Sequence, residues 1–219
     1  MSHKAVLFLS TALMFMGAVA TAQEAATAVK KPADSQLRLL RLSHDLALYG
    51  RANKDALALI TAARVQSAVA QKDVSRTGED FIAETPSGGD PVQNLTQEAV
   101  ALAQNDPVIV ALAQDILASK TKGRVKGVAV SRGVVPAGKT DVFKGQKFES
   151  GKYAEAYVEA QGAGEIRLSV YDAQGNLICK DANPADTSYC GWWPKDTQGF
   201  TLNLENRSET AVAYKVSTN

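Results

Sequence analysis

The sequence predicts an α+β protein: antiparallel hairpins of about four helices, followed by an antiparallel β-sandwich or jelly-roll-like domain. Three observations predict it. Between residues 35 and 119 apolar side chains recur at helical spacing. From residue 128 the period changes to two, and Gly, Asn and Pro punctuate the chain at intervals of roughly ten residues. The only two cysteines, Cys179 and Cys190, both fall in the alternating part.

The first residues precede any domain. Lys4, an apolar run from Ala5 to about Val19, and the small residues Ala20-Thr21-Ala22 have the order of a secretory signal peptide, expected to span 1–22 and to be cut after Ala22. The run is short for a transmembrane helix, and no later stretch is apolar for the roughly 18 residues a span needs. A periplasmic or secreted location follows. Residues 23–34 are small and polar and end in proline, which predicts a flexible leader.

Ser35 is the expected N-cap of a first helix carrying Leu37, Leu40, His44, Ala47 and Leu48 on one face and closing at Tyr49-Gly50. Asn53 is expected to cap a second helix reaching about Ala70, with Leu57, Ile60, Thr61, Arg64, Val65 and Ala68 in phase. The short connection predicts an antiparallel pair. Residues 71–94 lose periodicity and hold Thr77-Gly78 and a Pro/Gly-rich run to Pro91, so a long exposed loop is expected. Thr96 is read as the cap of a third helix over 97–104, and Asp106-Pro107 as the start of a fourth reaching about Ser119. The helical domain is thus 35–119, and the basic stretch 120–127 is a hinge.

The β domain is expected over 128–219, with strands at 128–136, 141–148, 153–160, 165–171, 177–179, 199–205 and 211–217. Ile166, Leu168 and Val170 share one face, as do Phe200, Leu202 and Leu204, and Val212, Tyr214 and Val216. Three such faces are enough for a continuous core. In an exported chain an even cysteine count favours a Cys179–Cys190 disulfide. Two cysteines and one histidine beyond the signal peptide are too few for a tetrahedral zinc site, so no metal centre is expected.

Phe143, Tyr153-Ala-Glu-Ala-Tyr157-Val, the run from Glu165 to Gly175, Gly199 to Asn206 and Tyr214 together resemble the bacterial pre-peptidase C-terminal domain family. The resemblance covers about the last 95 residues. It implies a small β-sandwich that acts as an accessory module beside secreted peptidases and other exported proteins. The family places a run like Asp-Leu-Asp-Leu on the central strand, where this chain has Glu165 and Arg167, so no calcium site carries over.

Chemistry is sparse. His44 is the sole histidine beyond the leader and lies among leucines, which leaves no partner set for Ser-His-Asp or Cys-His catalysis. No phosphate loop or dinucleotide fingerprint is present, so no catalytic residue and no cofactor is expected. From residue 120 onward there are 14 basic and 11 acidic side chains, well short of the excess of a nucleic-acid binder. Lys120, Lys122, Arg124, Lys126 and Arg132 form a basic run, extended by Lys139, Lys144, Lys147 and Lys152, that suits either a solvated strand edge or an anionic polymer or headgroup. Of the adjacent Trp192 and Trp193, one is expected in the core; the other is left for contact with a glycan or protein unless loops cover both. Asp181, Asn183 and Asp186 offer oxygens that a solvated turn explains as well as weak calcium binding.

The expected function is a non-catalytic binding or accessory protein of the cell envelope, with an envelope protein, a glycan or an anionic polymer as partner. A hydrolase with an unrecognised carboxylate site and a structural partner acting through the helical half are the alternatives.

Overall fold

The computed structural model describes residues 35–76, 82–83, 89–119, 127–162, 164–181 and 186–219. The expected signal peptide and leader, Asn183 and the basic residues Lys120, Lys122, Arg124 and Lys126 lie outside the described residues. Four helices precede the main strands: α1 (Gln36–Asn53), α2 (Ala56–Ser67), α3 (Pro91–Leu102) and α4 (Pro107–Ala118). Two short strands, β1 (Gln71–Asp73) and β2 (Ile82–Ala83), fall between α2 and α3. Then come β3 (Val128–Val135), β4 (Thr140–Lys147), β5 (Ala154–Gln161), β6 (Ile166–Tyr171), β7 (Leu177–Lys180), β8 (Thr187–Trp192), β9 (Gly199–Asn206) and β10 (Val212–Thr218). The class is α+β with a sandwich, as the periods predict.

Helix starts follow cap chemistry. The Ser35 hydroxyl accepts from the Arg38 amide, and the Asp106 carboxylate accepts from Val108 and Ile109. Other termini differ from the sequence-based expectation. Asp55, not Asn53, caps α2, and Asp90, not Thr96, caps α3. Thr96 is buried inside α3, where its hydroxyl returns to the Val92 carbonyl. Gly50 does not end α1; the helix runs to Asn53, and Lys54 takes the left-handed conformation at φ 53°. Gly50 is instead a close-approach site. A Cβ there would lie 2.9 Å from two carbons of the buried Leu59 on α2 and 3.0 Å from the Asp55 carbonyl.

The helical core joins Ala47, Leu59, Ile60, Ala63, Val92 and Ile116. In α2 the buried face carries Ala58, Leu59, Ala62 and Gln66, whereas Leu57 is 57% exposed. Of the expected stripe Ile60 is buried and Val65 half-buried, while Thr61, Arg64 and Ala68 are exposed, because α2 packs against α1, α3 and α4 and apolar residues surround most of its circumference.

Two sheets form the sandwich. One has the order β1-β3-β10-β5-β8, with β2 also on β3; the other has the order β4-β9-β6-β7. All pairs are antiparallel except β1 with β3. The span expected as a loop at 71–94 therefore contributes a parallel strand and the first turn of α3. Strand β8, inside the cysteine loop, had no counterpart in the expected strands. Its alternation buries Ser188, Cys190 and Trp192 and turns Thr187, Tyr189 and Gly191 to the other face.

The inner faces interlock as period two requires. Ala156, Val158, Tyr214 and Val216 of the first sheet meet Leu168, Val170, Leu202 and Leu204 of the second. Trp192 packs between Phe148 and Phe200, with ring centroids 4.8 and 5.5 Å away. Cys179 on β7 and Cys190 on β8 are joined, with Cα atoms 5.9 Å apart. Since β7 and β8 are edge strands of different sheets, the disulfide closes one side of the sandwich.

The first sheet has a second packed face. Leu37 and Leu40 of α1 and Val69 after α2 pack with Val128, Val130 and Tyr157. The change of period at 120–127 separates two kinds of element in sequence, while packing joins them, and residues 31–219 form one compact unit. The layers are helices, first sheet and second sheet.

Candidate functional site

Two of the clefts formed by the described residues differ in how their charges are matched. The first lies along the seam between the helices and the first sheet, has a volume of about 280 Å³, and is lined by His44, Arg51, Arg132, Glu159 and Lys215 among others. Strand β5 builds it: alternation sends Val158 and Ala160 into the sandwich and Tyr157, Glu159 and Gln161 toward the helices. Lys215 on β10 is the cross-strand partner of Glu159.

The seam is charge-matched. Lys215 Nζ stands 2.7 Å from Glu159 Oε2 although the lysine is only 7% exposed. His44 Nε2 is hydrogen-bonded to Asp186 Oδ2 at 2.8 Å, and its Nδ1 is 3.7 Å from Glu159 Oε1. Arg51 pairs with Glu98 at 2.8 Å, and Arg132 pairs with Asp73 of β1. The Glu159 carboxylate, followed by Asp186, raises the His44 pKa against the opposing effect of burial. Burial on its own would raise the Glu159 pKa, but His44 and Lys215 outweigh it and hold the carboxyl at about 2. Glu159 is therefore a fixed negative charge that ties α1 to the sheet.

The second cleft opens on the side of the sandwich opposite the disulfide. It has a volume of about 890 Å³ and runs between β4, the edge of one sheet, and β3 with the segment after β1. The inner positions of β3 there are Ala129 and Ser131. Both side chains are small and leave space between the layers at this end of β3. The floor is Phe143, Leu202 and Val216, all buried.

One wall is a closed polar network. Asp141 is 8% exposed and shares the inward phase of Phe143 on β4. It pairs with Arg76 Nη1 at 2.7 Å and accepts from the Tyr214 hydroxyl. Arg76 Nη2 donates to the Val142 carbonyl at 2.6 Å, and the guanidinium carbon sits 3.8 Å over the Phe143 ring. Burial first, and then the Asp141 carboxylate, push the Tyr214 phenol far above its ordinary pKa, so it stays a donor.

The rim is different. Lys144 and Lys147 are exposed, and among the described residues neither is paired with an acidic side chain. They flank a β-bulge where the register to β9 shifts between Phe143 and Gln146, with Gly145 at φ +68°. The bulge brings both lysines to the same cleft even though they are three positions apart, a spacing that puts side chains on opposite faces of a regular strand.

Of the residues singled out in the sequence, Arg132 lies on the seam and is paired, so it does not extend a basic surface. Trp192 is core packing. Trp193 is 43% exposed and rests against Tyr153 with centroids 5.4 Å apart. Asp181 accepts from the Tyr189 amide and Asp186 is bound to His44. Among the described residues no three His, Cys, Asp or Glu side chains are grouped to hold a metal. Sequence reasoning missed Arg76, Asp141, Glu159 and Lys215. The signal for Asp141 was present, since it sits two residues from Phe143 on an alternating strand.

No family model matches the chain, and no curated protein matches it. Among solved structures, the pre-peptidase C-terminal domain of a Bacillus anthracis collagenase aligns at 12% identity and TM-score 0.37, covering 45% of this chain and 100% of that one. A Yersinia pseudotuberculosis-derived mitogen aligns at 14% and 0.34, covering 43% and 86%. PliG of Aeromonas hydrophila, a periplasmic inhibitor of g-type lysozyme, aligns at 12% and 0.33, covering 45% and 92%. Likenesses this slight do not extend to function.

Proposed function

We propose that this chain is a non-catalytic, exported binding protein of the bacterial cell envelope, and that it holds an anionic ligand at the open side of its sandwich. The observation that carries this reading is the pair Lys144 and Lys147, which among the described residues stand without acidic partners over a cleft of about 890 Å³. The size falls within the roughly 300–1,000 Å³ of small-molecule sites. Two unopposed cations beside a low-dielectric floor attract a negative group more strongly than they would on an open surface. The joined Cys179–Cys190 pair suits an oxidising compartment.

A non-catalytic role is supported by how the carboxylates are used. Glu159 is held ionised by Lys215 and His44, and Asp141 is an acceptor for Arg76 and Tyr214. A carboxylic acid serving as proton donor needs the opposite environment.

The test is binding of residues 23–219 to vesicles of phosphatidylglycerol, with phosphatidylcholine vesicles as the control, at low and at physiological salt. Binding is expected only to the anionic vesicles, weakening with salt, and the double variant Lys144→Glu, Lys147→Glu should lose at least tenfold in affinity. If the wild-type chain does not bind at low salt, the reading is overturned.

A further inference from the structure

The open cleft has more than a charged rim, and its second feature narrows what enters it. We propose that it takes a single-chain anionic amphiphile, carboxylate or phosphate at the head, with the head at Lys144 and Lys147 and the hydrocarbon chain between the two sheets. This rests on the anion-site reading above and deepens it.

The polarity of the cleft is directional. The unpaired cations are both on β4, beside the bulge. Beyond them Phe143, Leu202, Val216 and Ala129 line the interior, interspersed with the small hydroxyl side chains Ser131, Thr140 and Thr218. The polar groups that intrude are already satisfied: Arg76, Asp141 and Tyr214 bind one another, and the guanidinium is stacked on Phe143. An apolar chain passing that wall leaves no charge without a partner, so the cost of covering it is that of desolvating an existing ion pair and not that of burying a lone charge.

A polyanionic polymer uses only the rim. It has no apolar end to place on the floor, and each repeat would stay hydrated. A lipid held in a bilayer by two chains likewise presents only its headgroup. A ligand with one charge and one chain uses both parts of the cleft, and each methylene buried is worth about 0.8 kcal/mol.

The experiment uses the mature chain and a fluorescent carboxylate, 11-(dansylamino)undecanoic acid, below its micellar concentration, followed by displacement with straight-chain carboxylates and alkyl phosphates of increasing length. Saturable binding is expected, with displacement improving by up to about fourfold per added methylene until the cleft is filled. Methyl esters of the same chains should compete at least tenfold more weakly. Whether carboxylates or phosphates displace better identifies the source of the head group. Ala129→Phe, which places a ring in the cleft, should abolish the binding while leaving both rim lysines in place.

Each result decides. No saturable fluorescence change, or affinity independent of chain length in the wild type, overturns the inference without the need for a variant. If the vesicle binding of the previous test persists in that case, the anion site stands and only the buried chain is refuted. If esters compete as well as acids, the rim lysines take no part and both readings fail.

Discussion

Lys215 shows what a buried charge demands of its neighbours. Its ammonium is almost entirely covered, and Glu159 is the acidic group in contact with it. Removing one partner of such a pair leaves an uncompensated charge, so Glu159→Gln is expected to cost about 3–5 kcal/mol in urea unfolding. Glu159→Leu combined with Lys215→Met should recover most of that loss; a double variant as unstable as the single one would show that the pair does more than balance itself. The same cluster sets a pH window. The Glu159 pKa is depressed from 4.5 to about 2, so its contribution is present above 4.5 and lost as pH falls toward 2. The His44 pKa is raised from 6.5, so its contribution is full below 6.5 and lost as pH rises through the higher folded value. Stability should therefore peak between about pH 4.5 and 6.5, and His44→Gln should flatten the alkaline limb and also shrink the acid one, because His44 helps hold the Glu159 carboxyl down. Thermal melts across pH 2–9 read both limbs.

At the scale of elements, Gly50 sits in the last turn of α1, where alanine is still intrinsically better, by up to about 1 kcal/mol. The contact with Leu59 and the Asp55 carbonyl reverses the sign. Gly50→Ala is expected to destabilise by about 1–3 kcal/mol, because α1 and α2 must move apart to admit one methyl. A stabilised variant would show that the hairpin has slack. This glycine also marks what the sequence made legible. A glycine after a helical run resembles a terminator, and only the partner helix reveals a close approach. The strands were legible because alternation needs no partner to be seen. β8 was not, since Thr187-Ser-Tyr-Cys-Gly-Trp192 is short and was read through its cysteine. α3 began early for a reason visible beforehand: Asp90-Pro91 is the same signal as Asp106-Pro107, hidden in a run of turn residues. The sites were least legible. Arg76 and Asp141 are 65 residues apart and His44 and Asp186 are 142 apart, and no local pattern encodes such pairings.

At the scale of the whole molecule, helices and sandwich share Tyr157, Val128 and Val130 as common core. Neither half keeps its apolar surface covered without the other. Unfolding is expected to be a single transition, with helical circular dichroism and the fluorescence of the buried Trp192 giving the same midpoint. Midpoints that separate would show that the layers are thermodynamically independent. The two long margins of the sandwich are unequal: Cys179–Cys190 stitches one, and the other holds a cleft. The second margin is nevertheless tied: Arg76 after β1 and Tyr214 on β10 reach to Asp141 on β4, and Asn206 on β9 reaches the Val135 carbonyl on β3. With both margins held, the gap between Ala129 and Phe143 is a slot of set width, a keyhole cut in advance and not a jaw that opens.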